Sequence, residues 1–109
     1  MKNLSMNEQI YLIAILLLKD EAYGVKIRDK VIELTGKSMV FGTLYNNLDY
    51  LVKKGLLSSR KGETGPNRGG NTKVFYSLTE TGKEALEEAR ELQQSLWAHV
   101  KTAKPVLGK

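Results

Sequence analysis

A chain of 109 residues, 41% hydrophobic and 27% charged, has apolar material for one modest core and little for a second domain. Lys and Arg exceed Asp and Glu by enough to leave a formal charge of +5, which favours a polyanionic partner without proving one. Cysteine is absent, which excludes disulfides, thiolate metal sites and cysteine nucleophiles and suits a reducing cytoplasm.

Ser5 and Glu8 stand three apart just ahead of an apolar run from Ile10 to Leu18, the pattern of a capping box. Periodicity alone does not separate a buried strand from a buried helix in such a run. The cap and the Leu/Ala content favour a helix over 6–18, ended by Lys19, Asp20 and Glu21. The run is about half of what spans a bilayer. Only Lys2 precedes it as a cation and no small-residue cleavage site follows, so neither a membrane partner nor a secretory signal is expected, and the chain is expected in the cytoplasm.

A second helix is predicted from Tyr23 to Thr35, with Ile27, Val31 and Leu34 on its buried stripe and Gly36 as its stop. The third is the most informative. Leu44, Leu48, Leu51 and Val52 make its apolar face and Gly55 closes it. The opposite face carries Thr43, Asn46, Tyr50 and Lys53, with Asn47 and Lys54 at its edge.

From Leu56 the helical period disappears. Two strands are predicted, Leu56–Lys61 and Lys73–Leu78, the second alternating Val74, Tyr76 and Leu78 against Phe75 and Ser77. The segment Gly62–Thr72 between them holds four of the ten glycines and one of the two prolines, so it reads as a long hairpin tip. A last helix is predicted from Thr79 to about Lys101. Its stripe of Ala85, Ala89, Leu92, Leu96 and Ala103, flanked by Leu86, Trp97 and Val100, has no remaining element to cover it.

This order predicts a mainly α (α+β) fold, a winged helix-turn-helix with a two-stranded wing. Residues 1–79 form the DNA-binding unit, 80–103 a C-terminal dimerisation helix and 104–109 a tail. A recognition helix buries one face and offers the major groove short side chains that donate and accept hydrogen bonds. Asn46 and Asn47 can read a base edge, adenine above all, and Thr43 and Tyr50 can meet phosphate or a thymine methyl. The plain alternative is a solvated polar face. Between Lys53 and Lys73 there are six basic residues (Lys53, Lys54, Arg60, Lys61, Arg68 and Lys73) against Glu63 alone, an excess equal to that of the whole chain. Such a concentration suits a wing following a phosphate backbone, with Arg68 at the tip able to enter a minor groove. A solvated basic loop would look the same.

The run Tyr23-Gly24-Val25-Lys26-Ile27, then Phe41-Gly42-Thr43-Leu44-Tyr45 with Gly55-Leu56-Leu57, then Tyr76-Ser77-Leu78-Thr79-Glu80-Thr81-Gly82 resembles the PadR family over about residues 6–86. The resemblance implies a dimeric winged-helix repressor of palindromic operator DNA, often answering phenolic acids, antibiotics or other toxic small molecules. Carried over by position, Tyr23, Thr43 and Tyr45 become phosphate or groove contacts and Gly42 a close backbone approach. A single C-terminal helix is similar to the short subfamily, in which that helix and the first build the homodimer, here through Ala89, Leu92, Leu96, Trp97 and Val100. In some short members a tryptophan on that helix faces its symmetry mate and stacks flat aromatic drugs, which makes Trp97 the candidate for a small aromatic effector. Simple interface packing is the other reading of that indole.

No cofactor, metal site or enzymatic activity is expected. His99 is the only histidine, expected at the surface or the dimer seam, and the glycine-rich tip lacks the Gly-Lys-Ser/Thr of a P-loop. The rival reading is a winged-helix module that binds protein or RNA without sequence-specific DNA regulation. Salt-dependent, sequence-selective duplex binding separates the two.

Overall fold

The apolar run near the N-terminus is a helix. The computed structural model describes residues 3–62 and 73–100. Helix α1 spans Met6–Leu18, and its start is the expected capping box: Glu8 N–H donates to Ser5 Oγ at 3.1 Å and Ser5 N–H to Glu8 Oε1 at 2.8 Å. A 3-10 turn at Lys19–Glu21 leads to α2, Gly24–Thr35, which Gly36 ends in the left-handed conformation at φ +74°. Helix α3 spans Phe41–Lys53, and Gly55 at φ +82° makes the turn into the hairpin. Strand β1, Leu57–Lys61, pairs antiparallel with β2, Val74–Leu78, with Ser58 opposite Ser77. Helix α4 runs Glu80–Ala98.

One core joins these elements. Leu12 and Ile15 of α1, Ile27 and Val31 of α2, and Leu44, Leu48 and Leu51 of α3 meet Leu56, Leu57 and Tyr76 of the hairpin and Ala85 of α4. Burial pushes the Tyr76 phenol up from its ordinary pKa, and the nearby Asp49 and Tyr45 add to the effect. The sheet gains a short third edge: Tyr23 bridges to Phe75, and Tyr76 N–H donates to the Ala22 carbonyl at 2.9 Å. The wing is thereby fixed to the start of α2.

Thr79 explains how α4 is attached. Its hydroxyl donates to the Gly55 carbonyl at 2.6 Å and accepts from Gly82 N–H at 2.9 Å, while its own N–H donates to the Leu56 carbonyl at 3.1 Å. The same side chain therefore caps α4 and ties it to the turn after α3. Gly82 packs directly on that turn, since a Cβ there would stand 2.1 Å from the Leu56 oxygen.

Several boundaries and faces differ from those the sequence suggests. Tyr23 and Thr79 are caps rather than helical residues, and the strands begin one residue later, at Leu57 and Val74. Helix α4 stops at Ala98, where His99 and Val100 N–H groups reach back three residues to Leu96 and Trp97 and tighten the last turn. Lys101, Ala103 and the expected tail 104–109 lie outside the described residues, as do Arg68 and the rest of 63–72 in the hairpin tip. Leu34 is 45% exposed, because periodicity defines a face of α2 but not how far along it a neighbour reaches; Val31 is the last residue of that helix to be buried. Phe75 is half-buried rather than turned to solvent, for it packs edge-on against Tyr23 at 5.3 Å.

Candidate nucleic-acid interface

The leucines of α3 decide what its other side offers. With Leu44, Leu48 and Leu51 fully buried, Gly42, Thr43, Tyr45, Asn46, Asp49, Tyr50 and Lys53 are all exposed. Thr43, Asn46, Tyr50 and Lys53 therefore share the surface the sequence assigns them. Asp49 sits among them, an acid on the same face that composition arguments pass over. Around Gly42 no described residue lies within 4 Å of where a Cβ would stand, so nothing among the described residues requires glycine there.

Two residues from the edge of that face turn inward. Asn47 is half-buried, and its amide donates to the Tyr11 hydroxyl at 2.9 Å, which itself donates to Met39 Sδ at 3.3 Å. Lys54 donates to Glu8 Oε2 at 2.7 Å and lies 5.0 Å from the Tyr50 ring centre. Burial opposes the charge on Glu8, but hydrogen bonds from Lys54 and Ser5 outweigh it and hold the carboxyl below its ordinary pKa. The hydrogen bond to Glu8 raises Lys54 in turn, against the pull of burial. These partners are 36 and 46 residues away, so no local pattern announces them.

The hairpin places its cations on aromatic rings. Lys73 Nζ stands 4.4 Å above the Tyr23 ring centre, and the Arg60 guanidinium carbon 4.8 Å above Phe75. With the edge-on Tyr23–Phe75 contact between them, the four form a row in which two rings stand between two cations, joining the hairpin to the start of α2. Both cations remain exposed. The row limits the freedom of two long side chains while leaving their charge in water.

Tyr45 has a double character. It is partly exposed, yet its hydroxyl lies 1.9 Å from where a Cβ on Gly24 would be, so α2 and α3 touch at a point only glycine permits without movement. On α4, Ala89 is half-buried, whereas Leu92, Leu96, Trp97 and Val100 are exposed, the first three by more than half. Met6, Ile13, Leu16 and Leu17 expose apolar surface on α1. His99 is also exposed, its ring Nδ1 2.8 Å from the Ser95 carbonyl oxygen. No described helix is long and apolar enough to cross a membrane.

Comparison with known proteins agrees with this architecture. The transcriptional regulator PadR-like family model matches residues 12–88. A PadR-like transcription factor from Bacteroides fragilis is 32% identical, with 87% of this chain and 90% of that one aligned at a TM-score of 0.67. A PadR family transcription regulator from Clostridium difficile is 28% identical, covering 86% and 90% of the two chains at a TM-score of 0.58. A PadR-like regulator from Bacillus cereus shares the fold at a TM-score of 0.69 over 94% of this chain and 93% of its own, with 20% identity. No curated protein matches the chain. Family model and fold agree along the greater part of the sequence, and the chain belongs to the PadR-like family of transcriptional regulators, which are not enzymes.

Proposed function

We propose that the protein is a homodimeric repressor that reads a palindromic operator with α3 and grips the flanking backbone with its β1–β2 wing. The observation that carries this reading is the exposed polar face of α3, Thr43, Asn46 and Tyr50, with the exposed cations Arg60 and Lys73 on the neighbouring hairpin. Base edges in the major groove want short donors and acceptors; the phosphates beside them want positive charge. Gly42, with open space around it, suits a close approach of the DNA backbone. Asn46 is the stronger candidate for base reading, because Asn47 already spends its amide on Tyr11. Tyr23 and Tyr45 contribute chiefly by holding the wing and α3 in place.

Dimerisation would cover the apolar surface of α1 and α4. Grooves of about 290 and 430 Å³ run between these helices, lined by Leu4, Ala89 and Leu92 in one and by Ile13, Leu16 and Leu86 in the other. A second copy of α4 seated there would give the two-fold symmetric dimer that a palindrome matches. Half-site centres would then lie about one helical turn apart, on the order of 34 Å.

Trp97, the only tryptophan and 56% exposed, is the proposed effector contact, where paired indoles would stack a planar aromatic compound. Such a ligand releases DNA only by favouring a spacing of the two α3 helices that the operator does not match.

Selection from a random duplex pool, followed by anisotropy titration over a salt series, tests the DNA reading. Enrichment of a two-fold symmetric sequence with salt-dependent affinity is expected; equal affinity for every duplex, or preference for RNA, would overturn it. For the effector, a flat fluorescent dye should quench Trp97 and weaken operator binding, and Trp97→Ala should abolish both effects. Undiminished dye affinity in that variant would place the ligand elsewhere.

A further inference from the structure

Helix α3 begins without the usual fastening. Its N-cap is Val40, which has no side-chain oxygen to satisfy the free N–H groups of the first turn. What holds this end lies on α2. Arg28 Nε donates to the Met39 carbonyl at 2.8 Å, immediately before the cap. The same guanidinium lies 4.8 Å from the centre of the Phe41 ring, and Phe41 stacks on Tyr45 at 6.1 Å with 22° between planes. Tyr45 in turn rests its hydroxyl against Gly24, one turn back along α2. Arg28, Phe41, Tyr45 and Gly24 thus close a circuit that fixes the first turns of α3 to α2.

We propose that Arg28 is a positioning residue that sets base selectivity without touching DNA. This rests on the reading of α3 as the recognition helix. Thr43 and Asn46 stand two and five residues beyond Phe41, and bidentate contact with a base tolerates errors of about 0.5 Å and 10–20°. A small rotation of α3 misaligns them all together. Phosphate attraction, spread over flexible cations of the wing, is far less sensitive to such a rotation. Loss of Arg28 therefore lowers discrimination while sparing general affinity. Lysine does not replace it, since an ammonium lacks both the directed Nε–H and the flat surface that covers Phe41.

The test uses the duplex selected by the wild-type protein and a scrambled duplex of equal length. Arg28→Ala and Arg28→Lys are titrated against both over a salt series, and thermal melting is followed by circular dichroism. Both variants should lose on the order of tenfold on the selected duplex, the size of one impaired bidentate contact. Affinity for the scrambled duplex and the salt slope should stay close to wild type, and the melting temperature should fall by only about 4–8 °C, the size of one lost hydrogen bond. If lysine restores binding while alanine weakens both duplexes and lowers the salt slope by about one, Arg28 is a phosphate contact and the proposal fails. Parallel loss of melting temperature and of affinity for both duplexes would make it a folding residue only, and unchanged selectivity would overturn it outright. Should Arg28→Ala not fold, Arg28→Lys decides. A wild-type protein that enriches no sequence removes the recognition reading itself, and this proposal with it.

Discussion

Helices α3 and α4 are both amphipathic, yet they show water opposite things. Helix α3 buries its leucines and exposes Thr43, Asn46, Asp49 and Tyr50; beyond Arg90, every described residue of α4 is exposed, Leu92, Leu96 and Trp97 included. A polar face beside cations suits a hydrated, charged partner, whereas an apolar stripe costs free energy until another apolar surface covers it. On the reading proposed above, the first surface serves nucleic acid and the second a copy of the same chain.

The largest expected effect breaks the α4 side of that contrast. Placing glutamate at both Leu92 and Leu96 should raise the dimer dissociation constant roughly a hundredfold or more, since each apolar anchor becomes a charge that resists burial. Sedimentation should find monomers whose circular dichroism remains helical, because Gly82 and Ala85 still anchor the first half of α4. A wild-type chain that is a stable monomer at micromolar concentration would defeat the dimer reading.

Next comes the joint between the two halves. Gly82→Ala drives a methyl into the Leu56 carbonyl, a backbone atom unable to swing aside. A loss of about 1–3 kcal/mol in urea unfolding is expected, typical of overpacking at a rigid contact. An unchanged midpoint would mean that the first turn of α4 is free to move away from the hairpin turn.

The α3 side is sharpened by comparing a reader with a gripper. Asn46→Ala should cost roughly 1–3 kcal/mol on the selected duplex and little elsewhere. Lys73→Ala should weaken all duplexes alike and lower the salt slope by about one. Anisotropy titrations on selected and scrambled duplexes distinguish the two patterns. If both variants behave alike, the division between base reading and phosphate attraction is wrong.

How much of this was legible in the sequence depended on distance along the chain. The capping box of Ser5 and Glu8, the stop at Gly36 and the leucine face of α3 are local patterns, and each stands where it was expected. Leu34 was misplaced because a helical stripe says nothing of where its neighbour ends. Asn47 and Lys54, placed at the edge of the α3 polar face, bind Tyr11 and Glu8, and those contacts left no local pattern because both partners come from another helix. Arg28 left no sign at all: one more cation on a polar face, until Met39 and Phe41 folded beside it.

The smallest expected effect concerns Glu8, which caps α1 and binds the end of α3 through Lys54. Its carboxyl is held below its ordinary value of 4.5 in the folded chain, so the ionised form stabilises the fold above that unfolded value. The contribution declines as pH falls from there through the lowered folded value. Lys54 is shifted upward, so its share is fully present below its unfolded value of 10.5 and is lost as pH rises through the raised folded one. Between these limits the pair is fully charged. Glu8→Gln should cost about 1 kcal/mol near neutral pH, because the pair is only partly shielded from water and the amide still caps the helix. Once the pH lies below the lowered folded value, the wild-type advantage should shrink toward zero, as glutamic acid and glutamine at position 8 are then both neutral. Urea melts of the two proteins at neutral and acid pH measure it. An advantage that survives in acid would mean that Glu8 stabilises by packing rather than by charge, and that the α1–α3 contact owes nothing to the ion pair.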